Sequence, residues 1–138
     1  MVGILIIAHG TLGESLIQSA THMLGGRPTS VMQIGVTVHD DPQEILPQAL
    51  KLVSQLDQGE GVLVLTDAYG ATPANIATRL LVRGRVEGIA GVNLPMLVRA
   101  LNYRREPLNV VVAKAVSGGV DGVIHMPFVS AGNAAAGS

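Results

Sequence analysis

Two stretches of the chain are apolar at almost every position: Val2 to Ala8 (VGILIIA) and Gly61 to Thr66 (GVLVLT). A strand covered by helices on both faces has no polar side to display. Short unbroken apolar runs are therefore expected of central strands in a parallel sheet. Ser30 to Val36 (SVMQIGV) and Val86 to Val92 (VEGIAGV) are weaker runs that predict two further strands. Between the runs the period changes to three or four residues. Leu16, Ala20 and Met23/Leu24 predict a first helix that ends at Gly25-Gly26. Asp41-Pro42-Gln43-Glu44 reads as a second helix start, with Leu46, Leu50, Val53 and Leu56 as its buried stripe. Pro47 inside that pattern predicts a kink or a later start.

Thr72-Pro73 opens a third helix, with Ile76, Ala77, Leu80 and Leu81 inward and Gly84 beyond its end. Asn93 caps a fourth, through Leu94, Leu97 and Leu101. A last helix is expected over Leu108 to Val116, broken by Gly118-Gly119. Val120 to Met126 (VDGVIHM) then reads as a short final strand. The tail SAGNAAAGS has no periodic apolar face and is expected to fray. No internal repeat or interdomain linker is evident. The chain thus divides into one domain, residues 1–128, and a flexible tail, 129–138.

Strands alternating with helices predict an α/β domain with an open, mainly parallel sheet and helices on both faces. In the strand order 2-1-3-4, strands one and three are neighbours whose chains leave in opposite directions. That opens a crevice at their carboxyl ends, where open α/β sheets bind ligands.

Composition narrows the function classes. The 138 residues are 48% hydrophobic and 14% charged, with a net charge of −1, as in a compact folded domain. Near-neutral charge and only three aromatics (Tyr69, Tyr103, Phe128) argue against nucleic-acid binding. The absence of cysteine removes disulfides, thiolate zinc sites and thiol nucleophiles, and suits a reducing cytoplasm. The amino-terminal apolar run is too short for a membrane span and lacks a basic leader.

The candidate chemistry lies at the predicted crevice. His9 follows strand one directly and Asp67 follows strand three. A carboxylate beside an imidazole can accept its N–H, fix the tautomer and turn the other ring nitrogen outward as a nucleophile. Asp67-Ala68-Tyr69-Gly70-Ala71-Thr72-Pro73 leads into a helix start. Gly70 permits positive φ, Thr72 can cap, and the free amides with the helix dipole favour an anion. Gly10 and Thr11, in HGTLGE, stand at a second helix start. A nucleophilic histidine, an orienting carboxylate and a phosphate-sized cradle suit a stable phosphohistidine, with no cofactor and no metal.

At these residues the sequence resembles the mannose-family IIA domain of the bacterial phosphoenolpyruvate-dependent sugar phosphotransferase system. The resemblance runs from strand one to about Ile124. It is carried by IIAHGTLGESL around His9, GVLVLTDAYGATPANIATR around Asp67 and GIAGVNLPMLVRAL from Gly88 to Leu101. It implies a phosphotransferase component in which His9 takes phosphate from the phosphohistidine of the carrier HPr and passes it to a IIB domain. The phosphate would sit on Nε2 while Asp67 holds Nδ1, with Thr72 near the phosphoryl oxygens. It also implies a short antiparallel fifth strand, matched here by Val120 to Met126, that can be exchanged across a homodimer. The implied location is cytoplasmic, not membrane-embedded, with association to a membrane permease complex compatible.

The chain departs from the family at two loop positions. Ala71 replaces a second glycine and must avoid positive φ. Tyr69 stands where tryptophan or phenylalanine is common. A short tail with no linker to a IIB domain leads us to expect a free-standing IIA protein, serving sugar uptake or a regulatory phosphorelay. The alternative is a binding-only regulator switched by His9 phosphorylation.

Other residues read more simply. His22 is a helical surface residue and His125 a structural one. In His39-Asp40-Asp41, three adjacent side chains rarely converge on one ion. Arg79, Arg83 and Arg85 solvate a helix end. Pro95 and Met96, with Tyr69, are expected to form a docking rim for a protein partner. The chain has neither the GxGxxG of a dinucleotide-binding oxidoreductase nor the GxSxG of a serine hydrolase.

Overall fold

The computed structural model describes residues 1–130. Its elements, in chain order, are β1 (Gly3–His9), α1 (Leu12–Leu24), β2 (Val31–Val36), α2 (Pro42–Leu56), β3 (Val62–Thr66), α3 (Thr72–Thr78), β4 (Val86–Ala90), α4 (Leu94–Tyr103) and α5 (Leu108–Asp121). The four strands are parallel in the order β2-β1-β3-β4, as the alternation of elements predicts.

Alternation along the central strands divides the core into two layers. On one face Ile4, Ile6 and Ala8 of β1 and Leu63 and Leu65 of β3 pack against Ile17 and Ala20 of α1, Leu97 and Ala100 of α4, and Val111 and Ala115 of α5. On the other face Leu5, Ile7, Val62 and Val64 meet Ile45, Ala49 and Val53 of α2 and Ile76 and Ala77 of α3. Both faces of β1 and β3 are covered, which is why neither strand carries a polar side chain before its carboxyl end.

Several helix details differ from expectation. The buried face of α1 is Gly13, Ile17 and Ala20, while Met23 and Leu24 are exposed. In α2, Asp41 caps by accepting from the Gln43 amide, and the helix runs through Pro47 from Pro42 with no late start. Ile45 and Ala49 take core places, and Leu50 is 49% exposed. Leu81 lies beyond the end of α3 and is exposed.

The largest difference concerns Gly118-Gly119. These glycines do not break α5, which continues to Asp121. A Cβ on Gly118 would lie 2.7 Å from Arg99 Cβ, and one on Gly119 2.8 Å from Met96 Cε. Their missing side chains let α5 lie close against α4, and that packing outweighs glycine's low helix propensity. Val120 and Asp121 therefore finish a helix, and residues 123–130 form no strand. The expected fifth antiparallel strand is not seen in the single chain. A strand needs an edge to pair with, and this segment meets none of its own. Most of the expected tail, residues 131–138, lies outside the described residues.

The amino end of the sheet is gathered by Arg104, which is buried. Its Nε and Nη2 donate to the Val2 carbonyl at 3.1 and 2.9 Å, Nη1 to Thr29 at 2.6 Å and Nη2 to Ser30 at 2.8 Å. Burial, with Arg105 nearby, pushes its guanidinium down from its ordinary value. One side chain thereby joins the end of α4 to the entries of β1 and β2. No helix among the described residues is long and apolar enough to cross a membrane.

Arg104→Ala should lower unfolding stability by about 2–3 kcal/mol, because carbonyls lose a charged donor in a buried place. Arg104→Lys, with no planar fork to span three carbonyls, should recover only part of it. Urea denaturation of the three proteins measures both.

Candidate functional site

His9 is the last residue of β1 and pairs in register with Val36 of β2. Asp67 follows Thr66, the last residue of β3, whose pairing partner in β1 is Ile7. The two side chains therefore leave neighbouring strands at the same sheet edge, although 58 positions separate them in sequence.

They meet directly. Asp67 Oδ2 lies 2.7 Å from His9 Nδ1 and accepts from the His9 backbone amide at 3.0 Å. A carboxylate accepts only, so the ring proton in this contact sits on Nδ1. In the neutral ring Nε2 then carries the free lone pair. The His9 side chain is 56% exposed and that of Asp67 13% exposed. The imidazole is thus accessible while its anchor is largely enclosed. Asp67 Oδ1 also accepts from the Ala68 amide at 3.1 Å. Burial pushes the Asp67 carboxyl up. The hydrogen bonds from the His9 amide and ring, and from backbone amide, outweigh that and hold it below its ordinary value.

The loops on either side are shaped by small residues. Gly10 has φ +56°, and its amide donates to the Val36 carbonyl at 2.9 Å. A Cβ on Gly35 would collide with the Gly10 carbonyl oxygen. The turn after His9 is therefore pressed flat onto β2. Gly35 was read from sequence only as a strand position; its signal is a glycine inside a strand, where backbone often approaches closely. Thr11 precedes α1 without a side-chain cap bond.

In the second loop, Gly70 has φ +85°, as its sequence context suggests. Ala71 is extended at φ −87°, so it avoids positive φ. Ala71, not Thr72, is the N-cap of α3; Thr72 is the first helical residue and is exposed. Tyr69 is 91% exposed.

The structure separates the remaining candidates. Pro95 is exposed at the start of α4, but Met96 is 5% exposed and packs on Gly119, so it offers no docking rim. Met96 shares the buried face of α4 with Leu97, Ala100 and Leu101, and this outweighs the methionine's surface reading. Asn93 caps α4 through the Met96 amide at 2.9 Å and donates to the Gly119 carbonyl at 3.0 Å. His22, His39 and His125 are all exposed. Asp40 closes a local turn onto the Thr37 amide and hydroxyl. Arg85 pairs with Asp57 at 2.6 Å.

Comparison with known proteins identifies the family. The family EIIA-man, described as "PTS system fructose IIA component", matches residues 3–116. The chain is similar to the PTS system mannose-specific EIIAB component of Escherichia coli (strain K12), 35% identical over 125 residues, covering 88% of this chain and 38% of that protein. It is also similar to the transcriptional regulatory protein LevR of Bacillus subtilis (strain 168), 32% identical over 116 residues, covering 80% of this chain and 12% of that protein. The chain thus spans well under half the length of these relatives. Among solved structures, the phosphotransferase system component EIIA from Streptococcus agalactiae superimposes with a TM-score of 0.79 at 25% identity, covering 90% of this chain and 96% of that one.

The lowered Asp67 carboxyl has a consequence for stability. A carboxyl depressed by folding contributes stability above its unfolded value of about 3.9 and loses it as pH falls through the folded value. Asp67→Asn should therefore be less stable than the parent at pH 6–7, with the gap closing below about pH 4. Urea midpoints measured across that range test it.

Proposed function

The chain belongs to the EIIA-man family of the phosphotransferase system, and on that premise we propose that it is a phosphoryl carrier with His9 as the acceptor. The observation that supports this most is the 2.7 Å contact between His9 Nδ1 and Asp67, which leaves Nε2 free on an exposed ring.

In the proposed reaction, the Nε2 lone pair attacks the phosphorus of phosphohistidine in HPr. The Nε2–P bond forms as the donor's P–N bond breaks, and that electron pair returns to the donor imidazole. Positive charge grows on the His9 ring as this happens. Asp67, already hydrogen-bonded at Nδ1, offsets it without moving. The reverse chemistry on a IIB domain discharges the carrier.

Phosphoryl oxygens would lie between the start of α1, near Thr11, and the loop Gly70-Ala71-Thr72. Amides at helix starts and the Thr72 hydroxyl supply donors there. The Gly10 amide is already committed to Val36, so Gly10 contributes through its backbone conformation. Tyr69 and Pro95, both exposed, are the rim residues that remain available to a protein partner.

A homodimer belongs to the same proposal. Val123, Ile124, Met126, Phe128 and Val129 are each at least 69% exposed, and β4 is an open edge strand. Pairing of this segment with β4 of a second copy would cover both. A cytoplasmic location follows from the proposed partners. The likeness to a transcriptional regulatory protein favours a second reading, in which phospho-His9 alters partner affinity without onward transfer.

Incubation with phosphoenolpyruvate, the general phosphotransferase enzyme and HPr should place acid-labile label on the chain. His9→Ala should abolish labelling. Asp67→Asn should slow it about 10- to 100-fold, the kinetic equivalent of one charged hydrogen bond. Labelling that persists in His9→Ala would remove the proposed acceptor. Label that no IIB domain can discharge would favour the regulator.

A further inference from the structure

Helices α2 and α3 lie side by side on one face of the sheet, joined at its core and parted toward solvent. Leu46, Pro47 and Leu50 of α2 face Asn75 and Ile76 of α3, and Arg79 just past its end, across a cleft of about 370 Å³. On each helix these positions fall on one stripe, spaced by three and four residues. Such stripes ordinarily interdigitate along their whole length. Here α3 has only seven residues and turns its alanines, Ala74 and Ala77, toward the core. The cleft stays open, and Leu50 remains half-exposed despite its place in the apolar pattern.

The chemistry of the cleft is asymmetric. Its floor is aliphatic, with Ile76 buried beneath. Its charge is a single cation, Arg79, at the far end of α3 from Thr72. No carboxylate lines it, and neither Asp41 nor Glu44 reaches it. Among the described residues three other arginines are held by acids, Arg27 by Glu14, Arg85 by Asp57 and Arg99 by Asp121, while Arg83 and Arg105 are not. Arg79 has no such partner among the described residues. Gln43 and Asn75 add neutral amides at the rim.

We infer that this groove binds a small amphipathic carboxylate, with its hydrocarbon tail along Leu46, Leu50 and Ile76 and its carboxylate on Arg79. The volume lies in the lower part of the range of small-ligand sites, about 300–1,000 Å³. From Thr72 to Arg79 the helix rises about 10 Å, which suits a medium-length chain. A protein partner is less well matched, because docking surfaces are enriched in aromatic residues and methionine, and none lines this cleft. Positive charge without a nearby acid selects an anion over an ammonium of the same tail. The inference does not depend on phosphorylation of His9.

The test is a titration of the ¹⁵N-labelled full chain with octanoate, followed by NMR. Saturable shifts at Leu46, Leu50, Asn75 and Arg79 are expected. Octylammonium should not reproduce them. Arg79→Ala, checked as folded by its own spectrum, should weaken octanoate about tenfold, the loss of one charge-assisted contact. Leu50→Glu should abolish binding. The inference is overturned if octanoate gives no saturable shift in the groove, if octylammonium binds equally, or if Arg79→Ala leaves affinity unchanged. Groove shifts caused by raising the protein concentration alone would assign the surface to a second copy. Shifts caused by HPr, with no competition from octanoate, would assign it to a protein partner. Either result also overturns the inference.

Discussion

Asp67 Oδ2 takes two hydrogen bonds from one residue, His9: one from its backbone amide and one from its ring. The first fixes where β1 ends relative to β3. The second fixes the ring. Because a single oxygen does both, the orientation of the imidazole is tied to the sheet edge that carries it. Everything that makes the site usable follows from this coupling. The tautomer is set, Nε2 is left free on an exposed ring, and a carboxylate stands against Nδ1.

That coupling requires β1 and β3 to be neighbours, and the order β2-β1-β3-β4 makes them so. The requirement reaches back into the core. Both strands are buried on both faces, so neither can slip in register without carrying a polar end residue inward or an apolar one out. Gly35 then limits the third side of the site. With no side chain, it lets the Gly10 carbonyl rest on β2, and this holds the His9 turn clear of the crevice.

Much of this was legible in the chain. Unbroken apolar runs identified β1 and β3, and the residues that follow them directly, His9 and Asp67, are the pair that meets. Loop chemistry was legible where one residue type has a distinctive use, as with Gly70 at positive φ and Asn93 as a cap. What escaped was decided by neighbours distant in sequence. Leu50 and Ala49 both fit an amphipathic stripe, and only the short reach of α3 leaves Leu50 outside. Gly118-Gly119 reads locally as a break, yet the proximity of Arg99 and Met96 turns it into a packing surface. Met96 reads as an exposed methionine until α5 is laid over it. Thr72 and Ala71 differ by one position at a helix start, where local signals are least decisive.

The two edges of the sheet are built on opposite terms, and the difference explains how a small domain can hold an exposed side chain in a fixed position. At the amino edge Arg104 is buried among backbone carbonyls, and Asp57 accepts from the Gly59 and Gly61 amides and from Arg85. Those polar groups are spent on backbone and on each other, so that edge holds the strands together. At the carboxyl edge the loops are short, glycine-bearing and exposed; Asp40 and Asn93 close a local turn and a helix end, and Asp67 holds His9. An exposed ring is weakly anchored by its own packing. Its position must then come from a largely enclosed partner on a rigid strand end. Asp67, 13% exposed beside a 56% exposed His9, meets that condition.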